Sequence, residues 1–430
     1  MKRLLLYLSL TALLCSCSDE LQKENDNSTH KLSVETGFQA SLNLENSFVT
    51  TRSSEQLSVY PNYYGGGYIS ANDELVVLVT KGFNTDNIKT EFQNRSKSSN
   101  VIIQECDYPF NELMKLNSHL SKVYCENEEL VKRLHWFSVG ISPKSNRISV
   151  CLFDCSDENI QKFKSEVSDS PMIIFEKIEN FTNDVEVEEI ADSVISATRA
   201  TTKTNVHAGA LISRVGKATS NGKIITARLN GSVGFRAMVG NTHGFITAAH
   251  CAPEINMKYN FGSSTDDLGV VSQIAKAQKI DAAFVTVNYE KYYPTNVTQW
   301  SKTVYQGKYL KTSSFMNSIA NQSMIVEGQA TKKAIKIKVV KLHNTQTTTG
   351  FGSNGQPVSY PIAEVVCAEF VNPSDTTRTG DSGGIVYTET GALLGGIHIG
   401  KGNIESKRVE AFSSAEHILK AFGATPVWKQ

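Results

Sequence analysis

The sequence runs to 430 residues, enough for two or three domains, each with its own core. Forty-three basic residues are balanced by forty-three acidic ones, so no charge footprint points to nucleic acid. Hydrophobic residues at 40% and charged residues at 20% exclude a disordered chain.

Taken in chain order, "MKRLLLYLSLTALLCSC" opens with Lys2-Arg3, an apolar run from Leu4 to Leu14, and then small residues. This is the layout of an export signal over 1–17, too short and wrongly flanked for a spanning helix. Leu14-Cys15-Ser16-Cys17 resembles a lipobox, with Cys17 the better acylation site because Ser16 precedes it; the alternative is a plain cleaved signal. The reading is an exported bacterial lipoprotein held to a membrane through lipid on Cys17, with its C-terminal part open to release outside the cell. Residues 18–45 are polar and read as a flexible tether.

A first folded region is expected over 46–195. Its strand signals are "YYGGGYISANDELVVLVT" (Tyr63 to Thr80) and "FSVGIS" and "RISVCLFD" around the turn Pro143 to Asn146. Ser156-Asp157-Glu158 opens a helix with Ile160, Phe163 and Val167 at helical spacing, and Pro171 to Lys177 returns as a strand. The unit is α+β and carries no triad-like constellation. Residues 196–208 read as a processing linker, with cleavage expected between Thr198 and Gly209.

Over 209–430 many short alternating runs, among them "KIITARL", "SVGFRAMVG", "GFITAAH", "DAAFVTVN", "AIKIKVVKL" and "LLGGIHIG", predict an antiparallel barrel or sandwich. In "KKAIKIKVVK", Ile335, Ile337 and Val339 are expected inward and the lysines in solvent. Ser413 and Glu416 form a capping-box pair for a last helix that Gly423 stops.

Two of the eight cysteines lie in the leader; Cys106, Cys125, Cys151, Cys155, Cys251 and Cys367 remain, and an exported protein can pair them. Cys151 and Cys155, four apart on a strand, would sit roughly 13 Å from one another, beyond disulfide reach. Their C-x-x-x-C spacing with no nearby histidine is a poor zinc site, and no metal, nucleotide or flavin signature is present, so no cofactor is expected.

The chemistry centres on "TTRTGDSGGIV" (Thr376 to Val386). Ser382 there is a candidate nucleophile; "GFITAAHC" puts His250 at a strand end, and "KIDAAFVTV" puts Asp281 just before an apolar strand, with Asp266 and Asp267 as rival carboxylates. A buried carboxylate can hold an imidazole in one tautomer while the imidazole takes the serine proton. The order His, Asp, Ser is one of those in which such triads occur.

"TAAHC", "DAAFV" and "GDSGG" resemble the trypsin/chymotrypsin-like serine endopeptidase family. "GSVGFRAMVGNTHGFITAAHC" is similar to its bacterial streptogrisin and α-lytic-protease-like branch, and the hairpins of the first region resemble that branch's pro-domains. The resemblance implies an all-β catalytic domain of two six-stranded antiparallel β-barrels, chymotrypsin-like, with a C-terminal helix, preceded by an α+β pro-domain bound to it before processing. It implies His250, Asp281 and Ser382 as the catalytic residues, and backbone N–H groups of Gly380 and Ser382 as the oxyanion hole. Asp381 would hold the turn. Thr376, Thr377, His398, Ile399 and Gly400 would line the substrate pocket. Thr376 stands where a lysine- or arginine-selective member has an aspartate. His398 stands where glutamate-selective members carry a histidine, so an acidic residue on the acyl side of the cut is an expected preference. Gly231 replaces the usual cysteine partner of Cys251, leaving Cys251 free or paired elsewhere, with Cys367 as the candidate.

The implied function is hydrolysis of protein and peptide substrates by a serine endopeptidase made as a zymogen that cuts off its own pro-domain. Two alternatives are a catalytically silent binding or adhesion module on a protease scaffold and a serine hydrolase acting on non-peptide esters.

Overall fold

The structure, a computed structural model, describes residues 35–52, 55–83, 85–183, 185–190, 203–309 and 317–427. Cys15 and Cys17 lie outside the described residues, as do residues 198–202 of the expected cleavage window.

The first region begins earlier than its sequence suggests. Helix Gly37–Phe48 starts at Thr36, whose hydroxyl accepts from the Gln39 N–H at 3.1 Å. It buries Ala40, Leu44 and Phe48 in the core of this region, which shortens the tether expected over 18–45. The helix is easy to miss because those three apolar residues are spaced among polar ones. The longest helix among the described residues, Phe110–Glu126, has the buried stripe Phe110, Leu113, Asn117, Leu120 and Tyr124; two polar members blur its apolar periodicity.

Besides the short pair Val49–Arg52 and Glu55–Ser58, two sheets make up the described part of this region. Tyr64–Ile69 pairs with Leu75–Thr80, and Leu75–Thr80 runs parallel to Val101–Cys106. Trp136–Ser142 and Arg147–Leu152 form the expected hairpin. Helix Asp157–Glu166, capped by Ser156, then leads to Ile173–Asn183, which runs parallel to Arg147–Leu152.

The second half is two closed barrels. In the first, Leu211–Ser220 pairs with both Lys223–Ser232 and Lys258–Phe261. The ring continues through Arg236–Val239, Thr242–Thr247, Ala283–Val287 and Asp267–Ile274 back to Lys258–Phe261. Lys223–Ser232 and Arg236–Val239 act as one bent strand, which makes six. In the second, Ser323–Glu327 pairs with Ile335–Phe351 and with Ile385–Thr388, closing a ring with Pro357–Phe370, Lys407–Ser414 and Leu393–Ile404. This double barrel is the chymotrypsin-like arrangement. Strand Thr204–Ala208, inside the segment expected as a linker, lies parallel to Tyr292–Thr298.

Two local expectations change. The last helix, Ala415–Phe422, is capped at Ser414, one residue later than the capping-box reading, and Gly423 ends it at φ 58°. Ser413 instead points its hydroxyl at the Asp281 carbonyl, 3.5 Å away. Lys341 is buried, not solvated: its Nζ donates to Glu176 at 2.5 Å and Ser149 at 2.8 Å, both from the first region. All six described cysteines are free, so Cys251 and Cys367 are not paired. A Cβ placed on Gly231 would stand 3.1 Å from the Cys251 sulfur, the spot a partner cysteine would fill.

The halves share strands. Trp136–Ser142 pairs with Ile335–Phe351, Ile173–Asn183 with Leu393–Ile404, and Ile319–Ala320 adds to Tyr64–Ile69. Glu45, on Gly37–Phe48, is wholly buried here and accepts from the Ser318 amide at 3.0 Å and from the Ser318 hydroxyl. Burial keeps its proton on, lifting the carboxyl from 4.5 to about 7 against those hydrogen bonds. The folded form therefore binds a proton that the unfolded chain releases between those values, and stability falls as pH rises through that window. In an uncut Ser382→Ala background, Glu45→Gln should raise resistance to urea by up to about 3 kcal/mol at pH 8. The two proteins should differ little at pH 5; equal curves at pH 8 would contradict this.

Candidate active site

The strands Thr242–Thr247 and Ala283–Val287 lie side by side with Thr247 opposite Ala283. His250 follows the first on the turn Ala249–Cys251, and Asp281 precedes the second by two residues, so the pairing brings them together. The His250 N–H donates to Asp281 Oδ1 at 2.9 Å, and the ring Nδ1 meets Asp281 Oδ2. The other ring nitrogen, Nε2, is 2.8 Å from Ser382 Oγ. All three residues are buried. The rivals Asp266 and Asp267 stand away, at the start of strand Asp267–Ile274.

Ser382 comes from the second barrel, in the turn ahead of Ile385–Thr388. Its carbonyl accepts from the Ser232 N–H of the first barrel at 2.7 Å, which docks the Ser382 turn between the barrels. Gly380 takes φ 103°, a conformation open to glycine, and its carbonyl accepts from Ser232 Oγ at 2.9 Å. Asp381 finds its partners in a facing turn: Oδ1 accepts from the amides of Ala330 at 2.8 Å and Thr331 at 3.0 Å. Its Oδ2 accepts from the Arg378 amide at 2.7 Å and the Thr331 hydroxyl. No cation is among these contacts.

Two further groups hold the Asp281 carboxylate: Tyr360 Oη at 3.1 Å and Thr348 Oγ1 at 3.2 Å. They face each other across the hairpin formed by Ile335–Phe351 and Pro357–Phe370. Gly350 lets that hairpin close on the histidine, since a Cβ there would lie 2.1 Å from the His250 carbonyl oxygen. Neither hydroxyl had a sequence signal, since Thr348 sits in a threonine-rich strand and Tyr360 among apolar residues.

Burial alone favours the uncharged imidazole of His250, but the Asp281 carboxylate outweighs it and raises the ring above the ordinary histidine value. Burial likewise pushes Asp281 toward the acid, and His250 together with the Tyr360 hydrogen bond holds it below the usual carboxylate range.

Of the expected pocket residues, Thr377, His398, Ile399 and Gly400 are buried, and Thr376 is half-buried. The Ile399 carbonyl lies 3.3 Å from Ser382 Oγ. His398 Nδ1 is 3.5 Å from the buried carboxylate of Glu410. Lys401 Nζ donates to the Thr377 carbonyl. Lys401 and Glu410 are cross-strand neighbours that the sequence did not single out as a pair. Among the described residues no cluster of His, Cys, Asp or Glu could hold a metal.

Residues 18–106 match the family model of a Pro-like N-terminal domain, and residues 111–178 that of a Pro-like C-terminal domain. No curated protein matches the chain. Among solved structures, the chain is similar to a protease of Nocardiopsis at 17% identity, covering 52% of this chain and 99% of that one, with a TM-score of 0.36. It is similar to protease A of Thermobifida fusca at 18% identity, covering 53% and 100%, with a TM-score of 0.37. A glutamic acid specific serine protease that uses a histidine triad in substrate binding is 19% identical, covering 52% and 100%, with a TM-score of 0.36. The chain thus joins Pro-like N- and C-terminal domains to a chymotrypsin-like double barrel, and the reading of its site rests on the geometry above.

The buried Asp381 network should be costly to disturb. Asp381→Asn turns an amide NH₂ or a weaker acceptor toward three N–H donors, so it should lose about 3 kcal/mol of stability. Urea unfolding of the Ser382→Ala background with and without this change measures it.

Proposed function

We propose that the protein is a serine endopeptidase made as a zymogen, whose first region is a pro-domain. The observation that carries this reading is the position of His250, between the Asp281 carboxylate and the Ser382 hydroxyl at 2.8 Å. Nε2 of the neutral ring accepts the Oγ proton as Ser382 adds to the substrate carbonyl. Asp281 keeps the Nδ1 proton in place and stabilises the imidazolium that forms. The N–H groups of Gly380 and Ser382 are the donors assigned to the oxyanion. The imidazolium then protonates the leaving amine, and water, deprotonated in turn by His250, hydrolyses the ester.

Peptides are the favoured substrates because both rims of the cleft are strands able to pair with an extended chain. The sequence of the first 17 residues supports export and a lipid on Cys17. No helix among the described residues is long and apolar enough to cross a membrane. On this reading the pro-domain carries the anchor, and cutting it away removes the covalent tie between barrel and membrane.

Wild-type protein from residue 18 onward should fragment on a denaturing gel and take up a small fluorophosphonate; the Ser382→Ala protein should do neither. If both proteins behave alike in both assays, the reading is wrong. In the processed enzyme, Asp281→Asn should lower kcat on the order of 10⁴-fold. It should also move the acid limb of the kcat/KM profile to lower pH, because the carboxylate that raises His250 is gone. Tyr360→Phe removes one hydrogen bond to that carboxylate and should lower kcat roughly tenfold with KM little changed.

A further inference from the structure

The first-barrel rim of the cleft is already paired by a strand from the other half of the chain. Strand Ile173–Asn183 lies along Leu393–Ile404 on the second-barrel rim, with Asn183 opposite Gly400. Three residues later, strand Glu186–Glu189 lies antiparallel to Lys223–Ser232 on the first-barrel rim. Ser382 sits between the two, since the Ile399 carbonyl lies 3.3 Å from its Oγ and the Ser232 N–H donates to its carbonyl. A chain crossing in this direction lays the residues before the crossing on the second barrel and those after it on the first. The strand Lys223–Ser232 is therefore where the leaving half of a substrate comes to rest.

Pairing in register sets the side chains of partner residues on one face, and alternate positions then give an added strand its specificity. Glu186 is opposite Asn230, Val187 opposite Leu229 and Glu188 opposite Arg228. On one face, a single oxygen of Glu186 accepts from Asn230 at 2.9 Å and from Gln329 at 3.3 Å. The same oxygen would stand 3.2 Å from a Cβ on Gly380, so it lies against the Ser382 turn. Two residues on, Glu188 accepts from Arg228 at 3.1 Å. On the other face, Val185 and Val187 pack with Leu229 and Phe351. Acidic and apolar side chains alternate along the added strand, and polar donors alternate with apolar contacts along the rim.

We infer that this rim is a selective subsite, favouring substrates in which acidic and apolar residues alternate on the leaving side of the bond that is cut. Asn230 with Gln329 takes the nearer carboxylate, Arg228 the farther one, and Leu229 with Phe351 the apolar residue between. The inference rests on the endopeptidase reading and adds to it the chemistry of the leaving half; it holds whether or not residues 186–189 are ever part of a substrate.

The two acidic positions are unequal. The nearer carboxylate belongs to a half-buried residue and meets two N–H donors, and an apolar or basic side chain there leaves both donors without the anion they face. The side chain of Glu188 is 52% exposed against 12% for Arg228, so that pair is open to water and salt screens it. The nearer position should discriminate more strongly, and the preference at the farther one should fade as salt rises.

Enzyme matured from the full chain beginning at residue 18 is given a mixture of peptides of randomised sequence, and the new amino termini are sequenced. The Ser382→Ala chain, treated alike, supplies the background. Glu and Asp should be enriched at two leaving-side positions two residues apart, roughly fivefold at the nearer and roughly two- to threefold at the farther, with apolar residues between them. In about 1 M salt only the nearer enrichment should persist. Arg228→Glu should turn the farther preference from acidic to basic, and the milder Arg228→Gln should remove it, with the nearer preference kept in both. Ser382-dependent cutting that is indifferent to acidic residues on the leaving side overturns the inference and leaves the endopeptidase reading standing, as does a farther preference untouched by Arg228→Gln. If no peptide is cut in a Ser382-dependent way, the inference and that reading fall together.

Discussion

The buried carboxylate of Asp281 is the constraint on which the site depends. A charge with no access to water must be met by donors on every side, or it takes up a proton. Here the donors are the His250 amide and ring, the Thr348 hydroxyl and the Tyr360 hydroxyl. They come from both barrels, so the barrels cannot drift apart without stranding that charge. The histidine is thereby held in one tautomer and one orientation, and its free nitrogen is left facing Ser382. The Ser382 turn is fixed independently, by Ser232 on one side and by the Asp381 network on the other.

The same hairpin that supplies Thr348 and Tyr360 is where the first region takes hold. Its strand Ile335–Phe351 is paired by Trp136–Ser142, and helix Phe110–Glu126 adds Asn117 to the His343 carbonyl at 2.9 Å and Tyr124 to Thr347 at 3.0 Å. A long two-stranded hairpin gains little by itself and needs a third strand or a helix against it. The first region provides both. It therefore supports the part of the second barrel that completes the hydrogen bonding of Asp281, while its last strand lies across the cleft so completed.

The sequence was most legible where function compresses into short motifs. His250, Asp281 and Ser382 could be picked out by neighbours and order, and the structure brings those three together. The alternation of short strands announced an antiparallel barrel or sandwich, the resemblance implied that there are two barrels, and the hairpin at Pro143 to Asn146 was read correctly. What escaped were partnerships across long separations. Thr348 and Tyr360 lie 67 and 79 residues from the carboxylate they hold, and nothing local marks either. Lys341 looked like a solvated strand lysine because its partner Glu176 belongs to another domain. Helix Gly37–Phe48 hid in a polar segment since its few apolar residues are enough only against the core they meet. The capping reading slipped by one residue because two serines stand side by side, and backbone geometry chooses between them.

The strand pairing between the halves bears on what a cut can achieve. Hydrolysis of one bond leaves every ladder hydrogen bond, the buried Lys341–Glu176 pair and the Glu45–Ser318 contact as they were. It changes only connectivity, turning an intramolecular docking into a complex of two chains whose partner is no longer held at a high effective concentration. Occupancy of the cleft then becomes a question of dilution and of how long the severed partner survives. Separation must also expose Lys341 without its carboxylate, a penalty paid before any new contact forms. On the zymogen reading proposed above, the onset of activity would be set by the lifetime of the complex rather than by the speed of the cut, which would make the arrangement a delay and not a trigger.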